Sequence, residues 1–177
     1  MKRAILKDNK ELVIREVVKE DSKAIVEYCN KVAGESDFLS FGENEFGISI
    51  EEEEKIIENI ISCDNETIIV GTIDNVIVAV TMVRSTKRKR THHVSTVSIS
   101  VMKKYWNLGI GHFLMNEVIE WATNNGVTKK LSVIVRDDNE KAIDLYKKCG
   151  FVMEGILIRD VLVKEKYYNS ILMGKLI

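Results

Sequence analysis

Gly109 and Gly111 stand where an apolar, strand-like run ending at Met102 hands over to a long amphipathic helix pattern through a basic and aromatic turn. The chemistry such a junction supports is anion binding. The first turn of a helix leaves backbone N–H groups without intrahelical acceptors and carries about half a positive charge. Glycine at the turn lets a phosphate come close to those N–H groups. Two other phosphate-binding turns do not fit. A Rossmann turn needs G-x-G-x-x-G near a first strand, but here the third position is Leu114 and the turn lies past mid-chain. The string G-x-x-x-x-G-K-S/T is absent.

A second block supplies a different chemistry. Asn139 opens the run NEKAIDLYKKCGF, which carries Ala142, Leu145, Tyr146, Gly150 and Phe151 at helix-compatible spacing. Together, Trp106-Asn107-Leu108-Gly109-Ile110-Gly111 and Asn139–Phe151 resemble the GNAT superfamily of acetyl-CoA-dependent N-acetyltransferases. The loop of that family reads roughly Gln/Arg-x-x-Gly-x-Gly/Ala after a strand, and its later helix reads N-x-x-A-x-x-L-Y-x-x-x-G-F. The resemblance spans at least Arg90–Ile177. The tail, with Gly155, Tyr167-Tyr168-Asn169 and Met173-Gly174, is similar to the branch that acetylates polyamines, amino acids and protein N-termini.

The resemblance implies the site residues. The N–H groups of Leu108, Gly109, Ile110, Gly111 and His112 would hold the pyrophosphate of acetyl-CoA. The backbone of Ile99, Val101 and Lys103 would pair with the pantetheine amides, and Asn139 would bind the same arm or its neighbouring backbone. Tyr146 would give the leaving thiolate its proton, since a phenol with pKa of about 10 is neutral at pH 7. The resemblance implies that the amine would attack the thioester directly, without an acyl-enzyme, which fits a sequence in which no G-x-S-x-G or Cys/His nucleophile signature stands out. The acceptor side would draw on Phe38–Glu54 and the Tyr167/Tyr168 region, with Phe41, Glu43, Glu45, His93, Thr96 and Tyr168 as its candidates. The alternative is a catalytically silent acyl-CoA-binding module of the same fold. Two departures favour it. Trp106 replaces the Gln/Arg of the loop, and Thr96 stands at the strand position where the family often has a Glu base. Deprotonation of the amine would then fall to water, Glu43, Glu45 or His93, the last with an ordinary pKa of about 6.5.

The elements that must position these residues follow from periodicity and caps. Leu12–Val18 reads as a strand and Lys19–Val32 as a helix capped by Asp21 or Ser22. Ser49 and Glu52 form a capping-box pattern for a helix to about Ile61. Thr67–Ile73 and Val76–Arg84 flank Asp74-Asn75 as a hairpin, and Val94–Met102 is a further strand. Gly109–Asn124 is the helix after the glycine turn, Lys130–Arg136 a strand, Asn139–Cys149 a helix, and Phe151–Ile158 with Ser170–Ile177 closes the sheet. The order βααβββαβαββ gives an α/β (α+β mixed) fold, a mixed and mostly antiparallel sheet flanked by helices. The resemblance adds a V-shaped gap between the fourth and fifth of these strands, where the CoA arm would insert.

Length and charge bound the rest. A chain of 177 residues, 45% hydrophobic and 30% charged, fits one soluble domain over residues 1–177. A net charge of −1 draws it to neither nucleic acid nor membrane. The basic run Lys87–Arg90 lacks interleaved aromatics and reads as a hairpin tip. Cys29, Cys63 and Cys149 are scattered, so a disulfide framework or metal site is not expected, and reduced thiols point to the cytoplasm. No secretory leader is visible in Met1–Lys10, and no apolar run reaches the roughly 18–20 residues of a membrane span. The expected partners are a small amine or a peptide N-terminus, and family members often form homodimers.

Overall fold

The computed structural model describes all residues 1–177. Eight strands form one sheet: β1 (Lys2–Ile5), β2 (Glu11–Glu16), β3 (Thr67–Ile73), β4 (Val76–Arg84), β5 (Val94–Val101), β6 (Lys130–Arg136), β7 (Val152–Val163) and β8 (Lys166–Leu176). Four α-helices flank it: α1 (Ser22–Ala33), α2 (Ile50–Ile61), α3 (Ile110–Asn124) and α4 (Glu140–Lys148). The strand order is β1-β2-β3-β4-β5-β6-β8-β7, antiparallel throughout except for the parallel pair β5/β6. The mixed, mostly antiparallel sheet expected from the sequence is present, with one strand more. β1 was not expected. Its four residues pair with β2 from Lys2↔Ile14 to Ile5↔Glu11, an edge position that tolerates charge.

Each face of the sheet has its own core. Ile110, Leu114, Met115 and Val118 of α3 and Ile143 and Tyr146 of α4 pack on Val97, Leu131, Val133 and Met173. On the other face Ile25, Tyr28 and Val32 of α1 join Ile57 and Ile60 of α2 over Ile68, Val70 and Val80. The α2 boundary follows its caps as expected: the Ser49 hydroxyl accepts from Glu52 N–H and the Glu52 carboxylate accepts from Ser49 N–H. Asp21 departs from its expected role. Its carboxylate accepts from Val18 N–H and two Arg15 nitrogens, so it ties β2 to a short 3-10 turn before α1. The hairpin turn Asp74-Asn75 has both residues at positive φ, which suits the right-handed twist of the strands it joins.

The decisive feature is where β5 and β6 part. Their parallel pairing covers only Val94↔Lys130, Ser95↔Leu131 and Thr96↔Ser132. β5 stays paired with β4 as far as Val101, and β6 stays paired with β8 as far as Arg136. Beyond Thr96 and Ser132 the two strands therefore bound an open gap whose mouth faces the glycine turn.

Candidate functional site

The backbone of β5 supplies one wall of that gap. Along a strand, backbone polar groups alternate sides. The His93 carbonyl accepts from Lys129 and Lys130 N–H, so odd-numbered positions turn toward β6. The Ser98 carbonyl accepts from the Thr81 hydroxyl of β4, and Met102 N–H donates to Val78, so even-numbered positions turn toward β4. Val97, Ile99 and Val101 thus direct their N–H and C=O groups at the gap. Ile99 turns both of its backbone groups to the gap. Val101 is half engaged, because its carbonyl accepts from the Trp106 indole N–H at 2.6 Å. The indole that replaces the expected Gln/Arg therefore closes the end of the strand. Lys103 is corrected: its N–H donates to the Glu35 carboxylate at 2.6 Å and is not free for a ligand.

The glycine turn supplies the second wall. Asn107 and Gly109 have φ of 64° and 92°, a left-handed pair that turns the chain sharply into α3. Five successive N–H groups, from Asn107 to Gly111, donate to no protein acceptor, whereas those of Trp106, His112 and Phe113 do. His112 is thereby corrected, since its N–H is spent on the Gly109 carbonyl at 3.0 Å. Asn107, which the sequence did not single out, is the residue whose N–H is left unspent instead. A Cβ on Gly111 would lie 3.1 Å from Leu145 Cδ2 of α4, so any side chain here makes its neighbour give by a few tenths of an ångström. The row of unspent donors at a helix start suits a diphosphate.

Tyr146 lies on α4, opposite this turn. Its ring is buried and tilts against Phe151 at 5.7 Å between centroids. Burial pushes the phenol up to about 12, so it is a protonated donor across the neutral range. The hydroxyl has no protein partner, yet the only sealed, unpartnered side-chain polar atom is Glu53 Oε1, so the hydroxyl reaches accessible space. Asn139 caps α4, its side-chain oxygen accepting from Ala142 N–H at 3.3 Å.

The opposite face of the sheet carries the remaining candidates. Thr96 and Ser98 are exposed there, and Ser100 is hydrogen-bonded to the Tyr28 hydroxyl at 2.9 Å. The segment between α1 and α2 is ordered by its own contacts. Phe41 stacks on Phe46 at 5.2 Å, Glu45 accepts from Gly42 N–H at 2.7 Å, and Glu43 folds back against Gly34. Glu45 is therefore engaged in shaping the loop. His93 sits at the closed end of β5, three residues before Thr96, and is not brought to the open gap.

Arg136 is the residue that sequence reasoning passed over. It ends β6 only 8% exposed, its guanidinium 4.5 Å from the Phe38 ring and 3.9 Å from the Tyr168 ring. It donates to both oxygens of Asp138 and to the Asp37 carbonyl. Arg136 holds the Asp138 carboxyl below its ordinary range. One cation thus pins the α1–α2 segment to β6 and β8. The sequence signal was a charged residue closing the apolar run Val133–Val135.

A family model described as the acetyltransferase (GNAT) family matches residues 36–151, more than half of the chain. The L-amino acid N-acetyltransferase AaaT of Escherichia coli (strain K12) is 31% identical over 107 residues, 60% of this chain and 66% of that protein. The spermidine N(1)-acetyltransferase of Vibrio cholerae is 26% identical over 78 residues, 44% of this chain and 45% of that protein. The chain thus spans less than two thirds of either relative. A solved acetyltransferase of the GNAT family from Streptococcus pneumoniae is 35% identical with a TM-score of 0.92, over 94% of this chain and 99% of that one. The yncA protein of Salmonella typhimurium, solved with its cofactor acetyl-CoA, has the same fold at 15% identity and a TM-score of 0.82, over 93% of each chain. With its splayed strands, its row of unspent donors and these matches, the chain belongs to the GNAT family of acetyltransferases.

Proposed function

We propose that this protein is an N-acetyltransferase that moves an acetyl group from acetyl-CoA to a primary amine. The observation that carries the reading is the run of five unspent N–H groups, Asn107–Gly111, at the mouth of the β5/β6 gap. Acetyl-CoA, when bound, supplies a thioester on a long arm bearing a diphosphate. The Asn107–Gly111 amides would receive the diphosphate, and the gap-facing groups of Val97, Ile99 and Val101 would pair with the arm. Tyr146 would hold the proton that the leaving thiolate takes. Arg136, through Phe38 and Tyr168, would fix the wall against which the amine sits. Amino acids and polyamines are acceptor classes in keeping with the names of the relatives, and protein N-termini are the third class to test.

A thiol-release assay with acetyl-CoA against polyamines, amino acids and N-terminal peptides tests this. Release of CoA with one class and not the others identifies the acceptor. Acetyl-CoA binding without release for any amine would instead support the silent binding module, which Thr96 favours.

The turn has its own test. Gly111→Ala adds a methyl that meets Leu145 at 3.1 Å, a contact that a shift of a few tenths of an ångström relieves. The fold should hold while the first turn of α3 shifts away from Leu145 and carries its N–H donors out of line with the diphosphate. Acetyl-CoA affinity by calorimetry is expected to fall about tenfold, equivalent to about 1.4 kcal/mol. Unaltered affinity would place the diphosphate elsewhere.

A further inference from the structure

Glu53 breaks the pattern of its helix. With Ile57 and Ile60 it forms the buried stripe of α2, and it is only 2% exposed. Its neighbours in sequence are spent otherwise: Glu52 caps the helix and Glu54 pairs with Lys19. Neither Glu53 oxygen has a hydrogen-bond partner. Oε1 is sealed from solvent and Oε2 is not, so one oxygen of the carboxylate still reaches accessible space. Buried carboxylates are rarely left unpaired, because the desolvation cost is uncompensated. Such an exception points to a missing cation.

The place of Glu53 says which cation. α2 lies on the sheet face that carries Thr96 and Ser98. The charged and titratable groups that feel Glu53 are the Cys29 thiol of α1 and the Arg84 guanidinium of β4. Arg84 is the register partner of Thr96; its guanidinium is turned to Glu66 at 3.3 Å, so it favours the Glu53 carboxylate from a distance but forms no ion pair with it. Thr96 is the strand position left without a carboxylate, at the last β5/β6 pair before the gap opens.

We propose that Glu53 supplies from α2 the carboxylate that β5 lacks, receiving the acceptor as an alkylammonium and taking one proton from it. The proposal rests on the acetyltransferase reading. The ammonium N–H bond breaks, its proton passes to Glu53, and the electron pair stays on nitrogen. Nitrogen then bonds to the acetyl carbonyl carbon as the C–S bond breaks. The proton that nitrogen sheds on becoming an amide reaches the thiolate through Tyr146, and the Glu53 proton leaves to water. Burial raises the Glu53 pKa, which makes it a better proton acceptor than a solvated carboxylate.

Glu53→Gln tests this with two acceptors, an unbranched alkyl diamine and an O-alkyl hydroxylamine that is already neutral at pH 7. The expected loss in kcat/KM is about a hundredfold for the diamine and under about tenfold for the neutral amine, with KM for acetyl-CoA unchanged. Equal losses for both amines, or none, would overturn the role. Stability gives an independent readout. A carboxyl whose pKa is raised by folding contributes stability below the ordinary carboxylate range, and that contribution is lost as pH rises through the raised pKa. Glu53→Gln should therefore raise Tm by about 2–4 °C at pH 7 and leave it unaltered near pH 4. A lower Tm at pH 7 would mark Glu53 as structural and overturn the proposal. If the native chain releases no CoA with any amine, both this role and the enzyme reading fall. If the native chain and Glu53→Gln are equally active, only this role falls.

Discussion

Tyr146→Phe is expected to lower turnover by about ten- to a thousand-fold while leaving acetyl-CoA affinity intact. The substitution removes one oxygen from a side chain whose ring is otherwise held by Phe151 and the core under α4. That oxygen has no protein partner, so no internal hydrogen bond is lost and no buried group is orphaned. Stability should move by less than about 1 kcal/mol, since the volume is kept. A rate loss therefore reports chemistry and not unfolding. Single-turnover measurement separates the outcomes. If the chemical step slows and binding holds, the phenol is the proton donor to the thiolate. If turnover is unaltered, the thiolate takes its proton from water, and the position of Tyr146 on α4 reflects packing alone.

Arg136→Ala should have the second large effect. The guanidinium is enclosed between Phe38 and Tyr168, and each such contact contributes about 0.5–1 kcal/mol or more when desolvated. The Asp138 carboxylate is 42% exposed, so that pair is screened and adds only about 1 kcal/mol. A total of about 2–3 kcal/mol implies a fall in Tm of about 4–12 °C. The larger consequence is expected in the acceptor. Without Arg136 the Asp37 carbonyl loses its donor, and Phe38 and Tyr168 lose the cation between them. Lys164, exposed and paired with Asp37 at 2.8 Å, is too solvated to hold the segment alone. KM for the amine should rise about tenfold or more while KM for acetyl-CoA stays within about twofold, since the Asn107–Gly111 donors lie on other elements. Arg136→Lys should recover little, because an ammonium does not stack as a planar guanidinium does. Equal changes in both KM values would mean that the residue supports the whole fold and not the acceptor wall.

How much of this was legible beforehand differs by element. The β3/β4 hairpin was legible because β-branched alternation and Asp74-Asn75 are local signals, and α2 because its capping box is. β7 and β8 run longer than their patterns suggested. Their turn, Lys164-Glu165, has both residues at positive φ without the Asn or Gly that normally announces it. β1 was missed because KRAI has no alternation of its own, and it becomes a strand by pairing with β2.

By itself, the sequence determined the fold class, the glycine turn before α3, and the helix that carries Asn139 and Tyr146. Those features rest on short-range rules of glycine conformation, capping and periodicity, which act within a few residues. Only the tertiary structure decided which donors remain unspent. It gave the His112 and Lys103 amides to internal acceptors and left Asn107 free. It also closed Val101 with the Trp106 indole, and it set Arg136 between rings from segments about 100 and 30 residues away in sequence. Among consecutive glutamates it buried one and left the others capped, paired or solvated. No local pattern encodes these outcomes, because burial and hydrogen-bond satisfaction are set by what the rest of the chain brings alongside.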